Sequence, residues 1–267
     1  MHTQFILTAI TSDPQVVRAA SAAGVDRIGI DIERLGKAAR QGHIPGARIS
    51  AHQLEDLRAV TANIHNAEVF ARLNPLHPGS RDEVETAIAL GARALMLPQF
   101  KTACQAEAFV NLIMGRAAAL LLLETTSALD NLPAITAVAG VSEIMVGLND
   151  LHLALGLSSH FELVVSDVLA RISHTVSNAG IRFGFGGVAR FDDDALPVPA
   201  DLVLAQYLRL QATSAWLSRS FFRGLPLHQI VPAVHALRHR LDYWRLQSPA
   251  SLARTKDEIQ GILALHA

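Results

Sequence analysis

Eight short apolar runs, separated by helix-like stretches, constrain the fold more than any other feature of this sequence. They are Phe5–Ala9, Arg27–Ile32, Glu68–Leu73, Ala94–Pro98, Ala118–Glu124, Glu143–Gly147, Ile181–Phe185 and Thr213–Ser218. Most are nearly continuous in hydrophobic residues instead of alternating, the pattern of a strand covered on both faces in a parallel sheet. The segments between them carry apolar residues at helical spacing and end in stop signals. Ser80–Leu90 places Val84, Ala87 and Ile88 on one face ahead of Gly91, and Ser127–Val138 places Leu129, Leu132, Ile135 and Val138 on one face ahead of Gly140. Strand and helix in alternation predict a parallel sheet with covering helices. Eight such units in 267 residues match an α/β fold of the (β/α)8 TIM barrel type, which takes about 250 residues. A solenoid is rejected because the units share no side-chain signature. The expected organisation is a single barrel domain over residues 1–267 with a C-terminal helical extension over 226–267. That extension holds helical patterns at Leu227–Leu246 and Leu252–Leu265, parted by Ser248-Pro249. An arm of this kind packs over the barrel's own end or forms a subunit contact, and a homo-oligomer is expected.

Composition narrows the function classes. Half of the residues are hydrophobic and 18% are charged, which supports a large core. A net charge of -1 provides no electrostatic footprint for nucleic acid. The longest purely apolar run, Ala117–Leu123, lies between Arg116 and Glu124 and falls far short of the ~20 residues that span a bilayer. The first twenty residues lack the charged-then-apolar pattern of a signal peptide. Cys104 is alone, which fits a reducing compartment. These features predict a soluble cytoplasmic protein with no nucleic-acid or membrane partner. Cys104 itself reads as a core or half-buried thiol, Arg238-His-Arg240 as a solvated helix face, and Phe221-Phe222, Tyr243 and Trp244 as packing for the C-terminal helices.

Function is legible at the strand ends. Leu120-Leu-Leu-Leu-Glu124 and Met145-Val-Gly-Leu-Asn-Asp150 both stop at a carboxylate. Strands one helix apart place Glu124 and Asp150 side by side at the same end of the sheet, a site for a hard divalent cation. The other strand ends on that face offer Asp31 and Glu33, Arg72 and Asn74, Gln99 and Asn149. Two long connections, Glu33–Ile49 and Leu148–Phe161, read as loops over the same face, where barrels carry functional residues. Two carboxylates hold Mg2+ or Mn2+ and leave places for a 2-oxo acid such as pyruvate or oxaloacetate. The metal then acts as a Lewis acid toward the enolate, and Arg72 donates to the oxygens where charge develops.

The motifs Ala71-Arg72-Leu73-Asn74-Pro75, Leu97-Pro98-Gln99, Glu124-Thr125 with Leu129-Asp-Asn-Leu132, and Gly147-Leu-Asn-Asp150-Leu151 occur in one order over about residues 25–160. In order and spacing they resemble the HpcH/HpaI aldolase and citrate lyase family, built on a (β/α)8 barrel of the phosphoenolpyruvate/pyruvate type. The resemblance implies a divalent-metal-dependent carbon–carbon lyase of the class II aldolase type, acting next to a pyruvate-like enolate. It matches Glu124 and Asp150 to the metal-binding acids and Arg72 to the arginine that contacts the oxo acid. The segment Asp31-Ile-Glu-Arg-Leu-Gly-Lys37 departs from the family's hydroxy-oxo-acid aldolases, which carry a histidine after strand two. Candidate general acids or bases are therefore Asp31, Glu33, Lys37, His43 and His152. Gln99 stands where a lysine is common.

In the second half, Phe183-Gly-Phe-Gly-Gly187-Val-Ala-Arg190 follows strand seven and Leu217-Ser-Arg-Ser220 follows strand eight. Barrel loops at those places often bind phosphate through backbone N–H groups. Gly186, Gly187, Ser218, Arg219 and Ser220 are thus expected to bind substrate with Arg72, Gln99 and Asn149. The combination of Gly-Leu-Asn-Asp, Gly-Phe-Gly-Gly and Ser-Arg-Ser-Phe resembles a subgroup of the family met in bacterial surface-polysaccharide clusters, which implies a phosphorylated or sugar-derived 2-oxo acid or aldol adduct. Two alternatives stay open: a citrate-lyase-like acyl-CoA lyase, for which no clustered cations are visible near the site, and a non-catalytic barrel that binds metal and ligand but has lost its base.

Overall fold

The computed structural model describes residues 4–37, 50–193 and 196–265. Its strands are β1 (Ile6–Ile10), β2 (Arg27–Asp31), β3 (Glu68–Arg72), β4 (Ala94–Leu97), β5 (Ala118–Leu123), β6 (Val141–Val146), β7 (Arg182–Val188) and β8 (Ser214–Leu217). Each pairs in parallel with the next, and β8 closes on β1. The chain is a (β/α)8 barrel with additional C-terminal helices.

The near-continuous hydrophobicity of the strands reflects two apolar faces. Inward-facing Phe70, Ala94, Met96, Leu120, Leu122 and Met145 fill the barrel interior. Their neighbours Val69, Ala71, Leu95, Leu121, Leu123 and Ile144 point outward into the layer shared with the helices. In β5 all four leucines are buried, each contributing roughly 2 kcal/mol. Below the apolar layers, near the strand N-termini, Arg27 of β2 reaches Glu143 of β6 at 2.6 Å and Glu68 of β3 at 3.2 Å.

The helices are α1 (Pro14–Ala22), α2 (Leu57–Thr61), α3 (Ser80–Ala89), α4 (Ala103–Ile113), α5 (Thr126–Asp130), α6 (Leu132–Thr136), α7 (Leu148–Ala154), α8 (His160–Val164), α9 (Asp167–Asn178), α10 (Ala200–Arg209), α11 (Arg219–Phe222), α12 (Leu227–Arg245) and α13 (Pro249–Ala264). Among the described residues no helix is long and apolar enough to cross a membrane.

Several local expectations need correction. The helix expected over Ser127–Val138 is two short ones, because Pro133 has no N–H to donate to the preceding turn and sits instead in the first turn of α6. The loop expected over Leu148–Phe161 is largely helical. Leu148 and Leu151 are buried on one face of α7, and Ser159 caps α8 by accepting from the Phe161 N–H. Of the other expected loop, residues 38–49 lie outside the described residues, His43 with them.

Cys104 is exposed. The buried stripe of α4 is Ala106, Phe109 and Ile113, and position 104 falls on the other side of that turn. Nor is Arg238-His-Arg240 a solvated face. The Arg238 guanidinium donates to the Phe5 and Gly24 carbonyls and pairs with Asp26 at 2.8 Å. Arg240 pairs with Asp201 and lies 4.0 Å from the centroid of the Tyr243 ring. The C-terminal arm packs on its own barrel, α12 against α1 and α10, and α13 against α10.

Candidate active site

The strands end on a cavity of about 730 Å3. Its floor includes Ile10, Leu122 and Trp216, from β1, β5 and β8. Asp31, Lys37, Arg72, Glu124, Asn149, Asp150, Gly186, Gly187, Ser218, Arg219 and Ser220 all line it, so the fold brings most of the sequence-predicted residues to one place.

The β2–β3 side is an ion-pair cluster. Asp31 and Arg72 are the last residues of neighbouring strands and face each other directly in the ladder. Arg72 Nε donates to Asp31 Oδ1 at 2.9 Å, and Nη2 donates to Oδ2. Asp31 Oδ1 also accepts from the Glu33 N–H at 3.0 Å. Lys37 Nζ lies 3.1 Å from both Asp31 Oδ2 and Glu33 Oε2. Burial alone would raise the Asp31 carboxyl, but Arg72 and Lys37 hold it well below the usual carboxylate range. Burial would likewise lower Arg72, and the Asp31, Glu33 and Glu124 carboxylates more than offset it. The Arg72 guanidinium carbon also sits 5.1 Å from the Trp216 ring centroid, within cation–π range. Asn74 braces the chain leaving β2. Its Oδ1 accepts from the Arg34 and Leu35 N–H groups, and its Nδ2 donates to Glu83.

Glu124 follows β5 directly and is 3% exposed. Its Oε1 accepts from the Gln99 N–H at 3.0 Å. To place that N–H, Gln99 takes a left-handed backbone, φ 54°, which costs a non-glycine residue on the order of 1 kcal/mol. Gln99 therefore acts on the site through its main chain. It is not among the cavity-lining residues, and its Nε2 is buried without a hydrogen-bond partner among the described residues. On the other side, Gly147 leaves the room Glu124 needs, since a Cβ at 147 would stand 2.6 Å from Glu124 Oε2. Asp150 lies in the first turn of α7, where the helix N-terminus favours an acid. Burial, together with the neighbouring Glu33 and Asp150 carboxylates, pushes Glu124 up to about 8 against the opposing effect of Arg72 and Gln99.

That excess of negative charge and hard oxygen fits a divalent cation between Glu124 and Asp150. Among the described residues no three His, Cys, Asp or Glu side chains are arranged to hold an ion. An ion here would complete its sphere with water or substrate, as Mg2+ commonly does.

On the β7–β8 side the glycines lie within strand seven, which runs on to Val188, and not in a loop after it. The β7–β8 register shifts between Phe185 and Val188, and Gly187 takes φ 72° at that bulge. Ser218 caps α11, accepting from the Phe221 N–H, and its hydroxyl lies 2.6 Å from that of Ser220. Arg190 donates to the Phe221 carbonyl at 2.6 Å and so ties the end of α11 to the β7 loop.

Sequence reasoning missed several cavity residues. Trp216 was hidden inside an apolar strand. Arg223, four residues beyond Arg219, also lines the cavity. His152 does not line the cavity, and one of its ring nitrogens lies 2.9 Å from the Leu148 carbonyl. His160 lines it instead, pushed down to about 4 by burial and by His152. His52 arrives from the segment preceding α2. Its Nδ1 accepts from the Asp31 N–H at 3.3 Å and lies 2.8 Å from Ser50 Oγ. His52 falls just beyond the Glu33–Ile49 connection read as the loop over this face, and nothing in the sequence singled it out.

A charged cluster at the carboxyl ends of a parallel barrel defines a barrel-enzyme site, and comparison with known proteins places the chain more narrowly. The family model HpcH/HpaI aldolase/citrate lyase matches residues 4–195, and the chain belongs to that family of aldolases and lyases. Among solved structures it is similar to an HpcH/HpaI aldolase/citrate lyase family protein from Burkholderia cenocepacia J2315, with 19% identity and a TM-score of 0.63 over 91% of this chain and 95% of that one. An HpcH/HpaI aldolase from Desulfitobacterium hafniense DCB-2 gives 17% identity and a TM-score of 0.63 over 81% and 86%. The protein CitE from Mycobacterium tuberculosis, in complex with magnesium and pyruvate, gives 16% identity and a TM-score of 0.62 over 95% and 98%. At these identities the structural likeness shows the shared fold alone. No curated protein sequence matches.

Proposed function

We propose that this protein is a divalent-metal-dependent carbon–carbon lyase that breaks or forms a bond next to a pyruvate-like enolate. The observation that carries the reading is the buried Glu124 carboxylate, set between the Gln99 N–H and Gly147, sharing one cavity with Asp150 and Arg72. Family membership supports it, as does the magnesium and pyruvate bound by CitE. Glu124 and Asp150 would hold Mg2+ or Mn2+, which supplies Lewis-acid stabilisation of enolate charge.

The chain's own groups divide the remaining work. In the cleavage direction a hydroxyl proton leaves, the carbon–carbon bond breaks, and the partner departs as a carbonyl compound. The bond electrons become the enolate, which is then protonated at C3 to give the oxo acid. Arg72 has Nη1 without a hydrogen-bond partner among the described residues, and this N–H serves the oxo-acid oxygens. Asp31, Glu33 and Lys37 act through Arg72, since Asp31 spends both oxygens on Arg72, Lys37 and the Glu33 N–H. That makes them positioning groups. His52, which lines the cavity and has its Nδ1 occupied, is the proton carrier of this scheme. Asn149, Gly186, Gly187, Ser218, Arg219 and Ser220 serve the partner half of the substrate. A second reading, an acyl-CoA lyase, is favoured by one observation, the Arg219–Arg223 pair.

The test is hydrogen exchange at C3 of pyruvate in D2O, followed by NMR with Mn2+ or Mg2+ and again with chelator. Metal-dependent exchange in the wild type that disappears in Glu124→Ala is the expected result. Exchange that survives the substitution would sink the assignment.

A further inference from the structure

The cavity is far larger than a three-carbon oxo acid requires. At about 730 Å3 it lies in the range that encloses drug-sized ligands. Its charged catalytic candidates come from the ends of β2, β3, β5 and β6, and the remaining wall has a different character. Phe161, Leu196, Val203 and Phe222 form it, from α8, the segment into α10, α10 itself and α11, with Val188, Val198 and Leu204 buried within it. Arg219 and Arg223, which start and follow the α11 turn that carries Phe222, line the same cavity. Both are exposed and lining, with no side-chain hydrogen bond or ion pair among the described residues. The nearby carboxylate Asp192 is paired with Arg190. The two hydroxyls of the region, on Ser218 and Ser220, are bonded to each other. The hydrocarbon part of this wall offers a polyol no side-chain partner, His160 beside Phe161 being the polar group next to it.

We propose that the partner half of the substrate is an amphipathic anion. An alkyl or aryl body lies on the Phe161–Val203–Phe222 wall, and a carboxylate or phosphate head is held by Arg219 and Arg223. This rests on the lyase reading for the opposite side of the cavity and names the class of carbonyl compound that reaction would release. It also replaces the sugar-derived partner expected from the sequence with an apolar one, while keeping an anionic end.

Calorimetric titration of the full-length protein tests the wall and the head separately. The probes are octanoate, octyl phosphate, neutral octanol and glucose 6-phosphate. Octanoate or octyl phosphate is expected to bind at least about tenfold more tightly than glucose 6-phosphate, and the ranking of the two octyl anions identifies the head group. The double charge reversal Arg219→Glu with Arg223→Glu should weaken the octyl anions by at least about tenfold and leave octanol within about twofold. Both positions are exposed, so the fold is retained, which a thermal melt verifies. Phe222→Ser should weaken all three octyl probes together. Tighter binding of glucose 6-phosphate, or octyl-anion affinity indifferent to charge reversal, would overturn the proposal. Pyruvate exchange on the wild type keeps the two ideas apart. Exchange without octyl binding removes the amphipathic partner and leaves the lyase, whereas octyl binding without exchange does the reverse.

Discussion

Among the described residues the barrel holds two buried arginine–carboxylate pairs, and they differ in what surrounds them. At the strand N-termini, Arg27 meets Glu143 across the interior at 2.6 Å, with Glu68 as second partner. Arg27 is raised, burial being outweighed by these two acids, and no cavity-lining residue belongs to the group. At the strand C-termini, Arg72 meets Asp31, but here Glu33, Lys37, Glu124 and Asp150 crowd the same space and it opens on a cavity. The first pair ties β2 to β6, strands that are not neighbours, and lines no cavity, although Glu143 Oε1 is buried without a hydrogen-bond partner among the described residues. The second gathers four carboxylates around Arg72 and Lys37 where the barrel opens. Burial by itself thus says nothing about function. What separates the two poles is whether the charged groups face a cavity that a ligand can enter.

Breaking each pole in turn sharpens that contrast. Glu124→Ala should lower metal-dependent exchange by roughly 10^3-fold while urea unfolding stays within about 1 kcal/mol of wild type. Glu143→Ala should do the opposite, because Arg27 would lose its buried partner. A loss of about 3–5 kcal/mol is expected in urea unfolding, with exchange per folded molecule within about twofold. If Glu143→Ala instead removed exchange in protein that remains folded, the distinction between the poles would fail. Arg72→Lys keeps the charge but loses the paired donors to Asp31 and the guanidinium contact with the Trp216 ring, and should cost about 10^2-fold in exchange. Gly147→Ala presses a methyl on Glu124 Oε2 and should weaken Mn2+ binding by roughly 10-fold to 10^2-fold in calorimetry, with little change in melting temperature.

The smallest effect concerns acid. Asp31 sits lower in the folded state than in the unfolded chain, so its stabilisation is complete above about pH 4 and is lost as the pH falls toward the folded-state value. Stability should therefore drop below about pH 4 by up to about 1.4 kcal/mol per pH unit for this proton. Asp31→Asn should show a shallower acid limb in urea titrations. An identical limb would mean that other groups set the acid stability.

Much of this was visible in the residues. Each of the eight apolar runs became a strand, and Glu124, Asp150, Asp31 and Arg72 came to one cavity, because a parallel barrel sends every strand's carboxyl end to the same face. Where reading failed, the cause was local or long-range. Pro133 split a helix that periodicity joined. Arg238 looked solvated because its partners Asp26 and the Gly24 carbonyl lie some two hundred residues away.

The sequence by itself determined the barrel and the pole at which its acids meet, since both follow from strand-like hydrophobicity and from the polar residue that ends each run. Only the tertiary structure decided how those groups are used. It paired Asp31 with Arg72 and pressed Glu124 between the Gln99 N–H and Gly147. It also brought His52, Trp216 and Arg223 to a cavity whose far wall is hydrocarbon. Those relations depend on distances between elements remote in the chain, which composition and periodicity do not encode.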